Sequence, residues 1–402
     1  MGISSETARV VQPVKSSWTL ALCAGLMGVG QNGLLVMLPQ LVTATHLSLS
    51  VWAGLLTLGS MLFLPASPWW GRQIEVRGGK FVVLAALGGY LSSFAIMALA
   101  VWGVAGGYLP VSWGFAGLIA SRLLYGLTVS GMVPAAQTWA MQRAGAAHRM
   151  AALATISTGL SCGRLLGPPL AAAALSLNPL APLWLMACAP LLALLLIVRQ
   201  PDAAPLPPTA TQAVRLQLSM LPYLLLALLL AACISLMQLG LAPALKPMLA
   251  QHPTQVSHHV ALLLSLAAAS TLLAQFVVVR PQRLGAQALV CVAALAMAGG
   301  LAVMNGDSPA MMYAGIAITT FGAAMATPGY QLLLNDRLTT GKGAGAIATS
   351  HTLGYGASAL LVPVITGYYG EQYLLSAALV IALCFLALCG GLWLQSPRQE
   401  RQ

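Results

Sequence analysis

Residues 218–242 read LSMLPYLLLALLLAACISLMQLGLA, a stretch without one charged side chain. As a helix it would rise by about 37 Å, more than the roughly 30 Å hydrocarbon core of a bilayer. Working outward with a ruler of about 20 apolar residues per crossing, spans are expected near 18–42, 51–70, 81–101, 112–135, 150–175, 181–198, 218–242, 259–279, 286–304, 309–333, 344–368 and 372–394. Only 6% of the 402 residues are charged and 59% are hydrophobic, with a mean hydropathy of +0.85. A soluble domain charges about a quarter of its residues to dress its surface. The chain is therefore read as an all-α polytopic membrane protein with twelve spans. The first span is too long for a signal-peptide core and no small-residue cleavage site follows Gln31-Asn32, so it counts as a true helix.

The formal net charge of +11 first suggests nucleic acid, but its placement points elsewhere. The cations fall at Arg9 and Lys15, Arg72/Arg77/Lys80, Arg143/Arg149, Arg199/Arg215, Arg280/Arg283, Arg337/Lys342 and Arg398/Arg401. Those positions are the N-terminus, every second loop and the C-terminus, whereas the alternate loops hold His46, Asp307 and Glu371. This is the positive-inside pattern. It places both termini in the cytoplasm, expects a cell inner (plasma) membrane, and requires an even number of spans. The seven cysteines all sit in apolar spans without CxxC spacing, so neither a disulfide framework nor a metal site is indicated. No cofactor is expected.

Arg199 to Gln217, RQPDAAPLPPTATQAVRLQ, is the one stretch rich in Pro and polar residues. It reads as a cytoplasmic linker over 199–217 joining an N-terminal six-helix half, 1–198, to a C-terminal one, 218–402. The halves also resemble each other. PAAQ at Pro134–Gln137 is followed by ALAT and then Pro168, and PGYQ at Pro328–Gln331 is followed by AIAT and then Pro363. Pro134 and Pro328 are 194 positions apart and Pro168 and Pro363 are 195. A parallel duplication of this kind is a transporter architecture, with substrate held near the midplane between the halves.

Three elements then carry a family resemblance. The loop after the second span reads Gly71-Arg72-Gln73-Ile74-Glu75-Val76-Arg77-Gly78-Gly79-Lys80. It resembles the signature loop of the major facilitator superfamily, G-x-x-x-D-x-x-G-x-K/R, with Glu75 where the family usually has Asp. Gly71 and Gly78 permit a tight turn, and Glu75 with Arg77 and Lys80 beside it can latch onto a neighbouring helix end. Arg122-Leu123-Leu124-Tyr125-Gly126 is similar to the family's R-x-x-x-G element. Gly159-x-x-x-Gly163-Arg164-x-x-Gly167-Pro168 is similar to the motif associated with its antiporters. There Gly159, Gly163 and Gly167 share a helix face that allows close backbone approach, and Pro168 bends the helix. The resemblance implies the superfamily fold of two pseudo-symmetric six-helix halves and leans toward drug- and metabolite-exporting antiporters.

A charge at mid-bilayer costs about 2.5–3.5 kcal/mol even on the lenient insertion scale, so each one is a functional candidate. Arg122 and Arg164 lie near the middle of their spans. Lys246 sits just past the outer end of the seventh, before Pro247, where it either joins the substrate or snorkels to the surface. None of the seven acids, Glu6, Glu75, Asp202, Asp307, Asp336, Glu371 and Glu400, lies deep in a span. Cationic-drug exporters of the family often carry a membrane-embedded acid in the first helix, where this chain has neutral Gln31 and Asn32. A cavity with cations and no anion attracts anions or neutral polar ligands. The substrate-binding set is thus expected to be Gln31, Asn32, Arg122, Arg164 and Lys246. His351, in the eleventh span, is the one titratable group there suited to proton coupling, with a purely structural hydrogen bond as the alternative. His252, His258 and His259 are read as an outer loop.

Two function classes follow. The first is a secondary antiporter exporting a small polar anionic or metal-chelating molecule, such as a siderophore or related metabolite, with protons as coupling ion. The second is a symporter importing a small carboxylate or sugar-like solute. A membrane enzyme would need a clustered catalytic set, and no GxxxxGK[ST] nucleotide loop occurs. The expected partners are a small-molecule substrate and the lipid bilayer, with the protein as a monomer.

Overall fold

The computed structural model describes residues 17–145, 148–201, 217–249, 253–281, 284–337 and 343–399. The expected linker, 199–217, lies outside the described residues apart from its two ends. So do Arg9, Lys15, Arg215, Arg283, Lys342, Arg401, Glu6, Asp202, Glu400 and His252.

Every described element is helical. The twelve crossings are α1 Ser17–Thr45, α2 Leu49–Arg77, α3 Gly79–Ala105, α4 Val111–Ala144, α5 Arg149–Leu175 and α6 Ala181–Val198. They continue with α7 Leu221–Leu245, α8 Pro253–Val279, α9 Ala286–Met304, α10 Pro309–Arg337, α11 Gly343–Tyr368 and α12 Leu374–Gln399. Two have local interruptions, α2 at Leu62 and α4 at Ser130-Gly131. Ten crossings are long and apolar enough to span a membrane by composition alone. The other two, α5 and α11, trade apolar residues for Gly, Ser, Thr and Pro. They also hold Arg164 and His351, as helices do when one face packs on backbone and another lines a polar space.

The helices pack in a repeated pattern. In the first six, α1 packs on α5 and α6, and α3 on α4 and α6. In the last six, α7 packs on α11 and α12, and α9 on α10 and α12. Across the midline α2 meets α11, and α8 meets both α1 and α5. The seam of α1 against α5 is close, for the reason the glycine spacing suggests. A Cβ on Gly163 would overlap the Gly25 carbonyl, one on Gly159 would overlap Ala21, and one on Gly167 would come within 2.9 Å of the Val29 Cα. No side chain could stand in that seam, so the backbones touch.

Pro168 adds a second effect there. A proline inside a helix leaves the carbonyl four residues earlier without its N–H partner, and here that carbonyl belongs to Arg164. The Asn32 amide donates to it at 2.8 Å. One side chain of α1 thus fills the bond that Pro168 removes from α5.

Between α1 and α8 the Gln40 amide donates to the Thr254 hydroxyl at 2.9 Å, and between α2 and α11 the Ser50 and Thr366 hydroxyls lie 2.6 Å apart. Both ties sit on the side away from the linker. The histidine loop expected there is in fact the start of α8. Pro253 suits the first helical position, and the helix extends past the apolar run. His258 and His259 are therefore helical, with His259 Nδ1 at 2.9 Å from the Tyr313 hydroxyl of α10.

Candidate functional site

A cavity of about 950 Å³ lies between the halves. Its wall is built from α1, α2, α3, α4 and α5 on one side and α7, α8, α10 and α11 on the other. On the linker side the wall continues to Arg280, directly after the last turn of α8, while on the opposite side the Gln40–Thr254 and Ser50–Thr366 ties draw the halves together. The cavity therefore opens toward the linker side.

Arg122 belongs to its wall. It is 3% exposed, a buried guanidinium with no carboxylate beside it among the described residues. Its Nη2 donates to Ser93 Oγ at 3.2 Å and its Nε to Ser121 Oγ at 3.4 Å. The Arg122 Cζ lies 5.3 Å from the Phe94 ring centroid and 5.0 Å from that of Tyr125. Tyr90 stacks on Phe94 at 4.6 Å and donates its hydroxyl to the Leu26 carbonyl at 3.0 Å. An aromatic box and two serines thus hold the cation, in the way that ring faces hold desolvated cations. The Gly126 expected in the same element packs on α2, where a Cβ would come within 2.5 Å of the Gly59 carbonyl.

Arg164 lies on the wall of the cavity with an exposed side chain. Gln31 and Asn32 line it from α1, although the Asn32 amide already donates to the Arg164 carbonyl. His351 lines it from α11 and shares a short hydrogen bond with the buried Tyr330 hydroxyl of α10, itself 3.1 Å from Thr327 Oγ1. Lys246 departs from the sequence expectation. It forms an ion pair with Glu371 at 3.3 Å, in a small recess beside Pro39 and Pro243 on the far side. Placed beyond the end of α7, it reaches an acid at the start of the α12 region and not the ligand space.

Sequence reasoning passed over Gln238, Gln275 and Arg280, which the structure brings to the same wall. The glutamines were legible as polar positions in apolar spans. Arg280 was read as loop charge because its position depends on a π-helical turn, Gln275–Val279, which no spacing rule announces. Among the described lining residues the cations are Arg122, Arg164 and Arg280, and no Asp or Glu is among them.

The signature stretch is at the linker side and is helical apart from one residue: Gly71–Arg77 complete α2, so the turn expected at Gly71 is made at Gly78 alone. Gly78 adopts φ 83°, which closes α2 and starts α3. Lys80 Nζ donates to the Gln200 carbonyl at 2.7 Å, and Arg143 donates to Gln200 Oε1 at 2.8 Å and to the Pro201 carbonyl at 2.9 Å. The chain leaving α6 is thereby held to α3 and α4. Arg77 stacks on Phe81 at 4.8 Å. Glu75 makes no ion pair among the described residues, and Gly71 has open space around it.

The family profile described as Major Facilitator Superfamily matches residues 20–357. No curated relative matches the chain by sequence. Among solved structures, a D-xylose-proton symporter is similar with a TM-score of 0.68 at 16% identity, over 94% of this chain and 97% of that one. A bacterial homolog of the human lysosomal transporter Spinster, in an inward-facing and occupied conformation, gives a TM-score of 0.67 at 15% identity, over 96% and 97%. The human organic anion transporter MFSD10 (TETRAN) gives 0.64 at 18% identity, over 94% and 100%. At these identities the likeness is one of fold.

Proposed function

This chain belongs to the major facilitator superfamily, and from that premise we propose that it exports a small polar anionic or metal-chelating molecule as an antiporter. It is a multi-pass membrane transporter of the secondary type and not an enzyme. The observation that carries the substrate class is the cavity's charge: Arg122, Arg164 and Arg280 with no carboxylate among the described lining residues. A cation site in this position would need an acid, and the nearest lining alternatives are neutral amides and hydroxyls. Low dielectric magnifies the preference, because charges out of water act over longer distances.

The positive-inside distribution makes the linker side cytoplasmic. The cavity then faces inward, ready to load substrate from the cytoplasm. The units that rock against each other are the halves 1–198 and 218–402, joined by 199–217, in an inner-membrane protein with both termini inside that works as a monomer. Gln31, Asn32, Arg122 and Arg164 form the binding wall. Gly71, Glu75, Arg77, Gly78, Lys80, Gly126, Gly159, Gly163, Gly167 and Pro168 serve the conformational change. His351, hydrogen-bonded to Tyr330 at the cavity wall, is the proton carrier. Siderophores fit as ligands because they are polar, often carboxylate-bearing, and need no acid in the site.

A second reading has one specific support. Gln31, Gln238, Gln275 and Gln331 all line the cavity, and amides that both donate and accept suit a neutral sugar-like solute, imported by symport. Everted vesicles separate the two. With the lumen made acidic, vesicles containing the protein should accumulate radiolabelled citrate, an anionic chelator, above vesicles lacking it. Accumulation of D-xylose when the lumen is made alkaline instead, with no citrate uptake in either gradient, would favour the symporter.

A further inference from the structure

The cavity-lining positions of α8 include Leu264, Ala268, Leu272, Phe276 and Arg280, a spacing of four. An α-helix turns about 100° per residue, so a face repeated every four residues drifts by about 40° each time. By that drift Arg280 would point about 160° away from Leu264, out of the cavity. It does not, because the turn Gln275–Val279 is π-helical, with the Arg280 N–H bonded to the Gln275 carbonyl at 2.8 Å. Such a turn adds one residue without adding a turn. It winds the helix back by about 100°, leaving Arg280 roughly 60° from Leu264. The Arg280 side chain is exposed there, with its Cζ 5.9 Å from the Phe276 ring centroid.

We propose that the π-turn of α8 is a selectivity element that holds Arg280 on the linker-side mouth of the cavity as the first fixed cation an anionic ligand meets. This deepens, and rests on, the reading of the cavity as an anion site. Arg280 lies at the linker-side end of the wall that also carries Arg122 and Arg164, so an anion entering there meets the exposed cations Arg280 and Arg164 as well as the buried Arg122. The exposed charge raises the local concentration of anions and lowers that of cations before any contact with the inner wall. A helix lacking the extra residue would spend the same arginine on another face.

The test uses no transported ligand. In the full chain with its native cysteines replaced, Gln275→Cys puts one thiol on the cavity wall, one turn from Arg280. The purified protein reacts with a negatively and a positively charged methanethiosulfonate, and the rate ratio is read. A unit charge at roughly 7 Å in water, partly screened by salt, should change that ratio by about three- to seven-fold. Arg280→Gln should therefore lower the anion-to-cation ratio by that factor, and Arg280→Lys should restore most of it. Deletion of Val278, which converts the π-turn to α-helix, should lower it as Arg280→Gln does. An unchanged ratio in Arg280→Gln would overturn the proposal. A ratio that, divided by the same ratio for a free thiol in solution, favours the cationic reagent with Arg280 intact would instead overturn the anion-site reading itself.

Discussion

Alanine at Gly163 and alanine at Gly299 should shift stability in opposite directions. Both glycines are interior to helices, and in a helix Gly→Ala alone gains about 0.5–1 kcal/mol. At Gly299 a Cβ meets nothing within 4 Å, so that gain should appear. At Gly163 the added carbon would overlap the Gly25 carbonyl oxygen and stand 2.6 Å from its carbon and 2.8 Å from the Gly25 Cα. The clashing atoms are backbone and cannot swing away. Restoring ordinary contact near 3.5 Å requires α1 and α5 to part by roughly 1.5 Å. Overpacking of this kind costs about 1–3 kcal/mol. The parting also stretches the Asn32 bond to the Arg164 carbonyl, worth about 1 kcal/mol. After the helix gain is subtracted, Gly163→Ala should thus lose about 1–3.5 kcal/mol in equilibrium unfolding in mixed detergent micelles, with Gly299→Ala level with or above the parent. Equal stability of the two variants would refute the backbone seam.

Arg122→Met should hold stability within about 1 kcal/mol of the parent, because an unpaired buried charge is removed. Ser93 and Ser121 keep their bonds to the Ser121 and Leu118 carbonyls. Citrate transport should nevertheless vanish; a parent-like rate would make Arg122 a structural residue. His351→Gln should bind citrate as the parent does but fail to accumulate it under a pH gradient in everted vesicles, and undiminished accumulation would move coupling to the ligand or another ion. Lys246→Ala removes a half-exposed ion pair with Glu371 worth about 0–1 kcal/mol. It should leave the citrate KM unchanged, and a several-fold rise would return Lys246 to the binding wall.

The twelve crossings were legible because apolar runs longer than the bilayer is thick admit few other structures. The α1–α5 seam was legible in half: the Gly159, Gly163, Gly167 stripe announced a close approach, while its partner helix could come only from the packed structure. Arg122 and Arg164 were found because charge inside a span is rare. Lys246 was misplaced because a residue at a helix end has solvent, lipid and neighbouring loops within reach, and here Glu371 captured it. Arg280 was missed because its face depends on one inserted residue in α8. Asn32 was counted as a free polar group, although its amide completes a carbonyl that Pro168 left open across the seam. That pairing links positions 132 residues apart and leaves no local trace.

Selection of anions by the cavity is tested most directly by equilibrium binding to the purified protein, where direction and coupling play no part. Citrate should bind the parent, weaken as salt is raised, and lose its affinity in the Arg122→Gln/Arg164→Gln double variant, with D-xylose binding in neither. Citrate bound equally well by parent and double variant, or D-xylose bound by the parent in its place, would contradict the account.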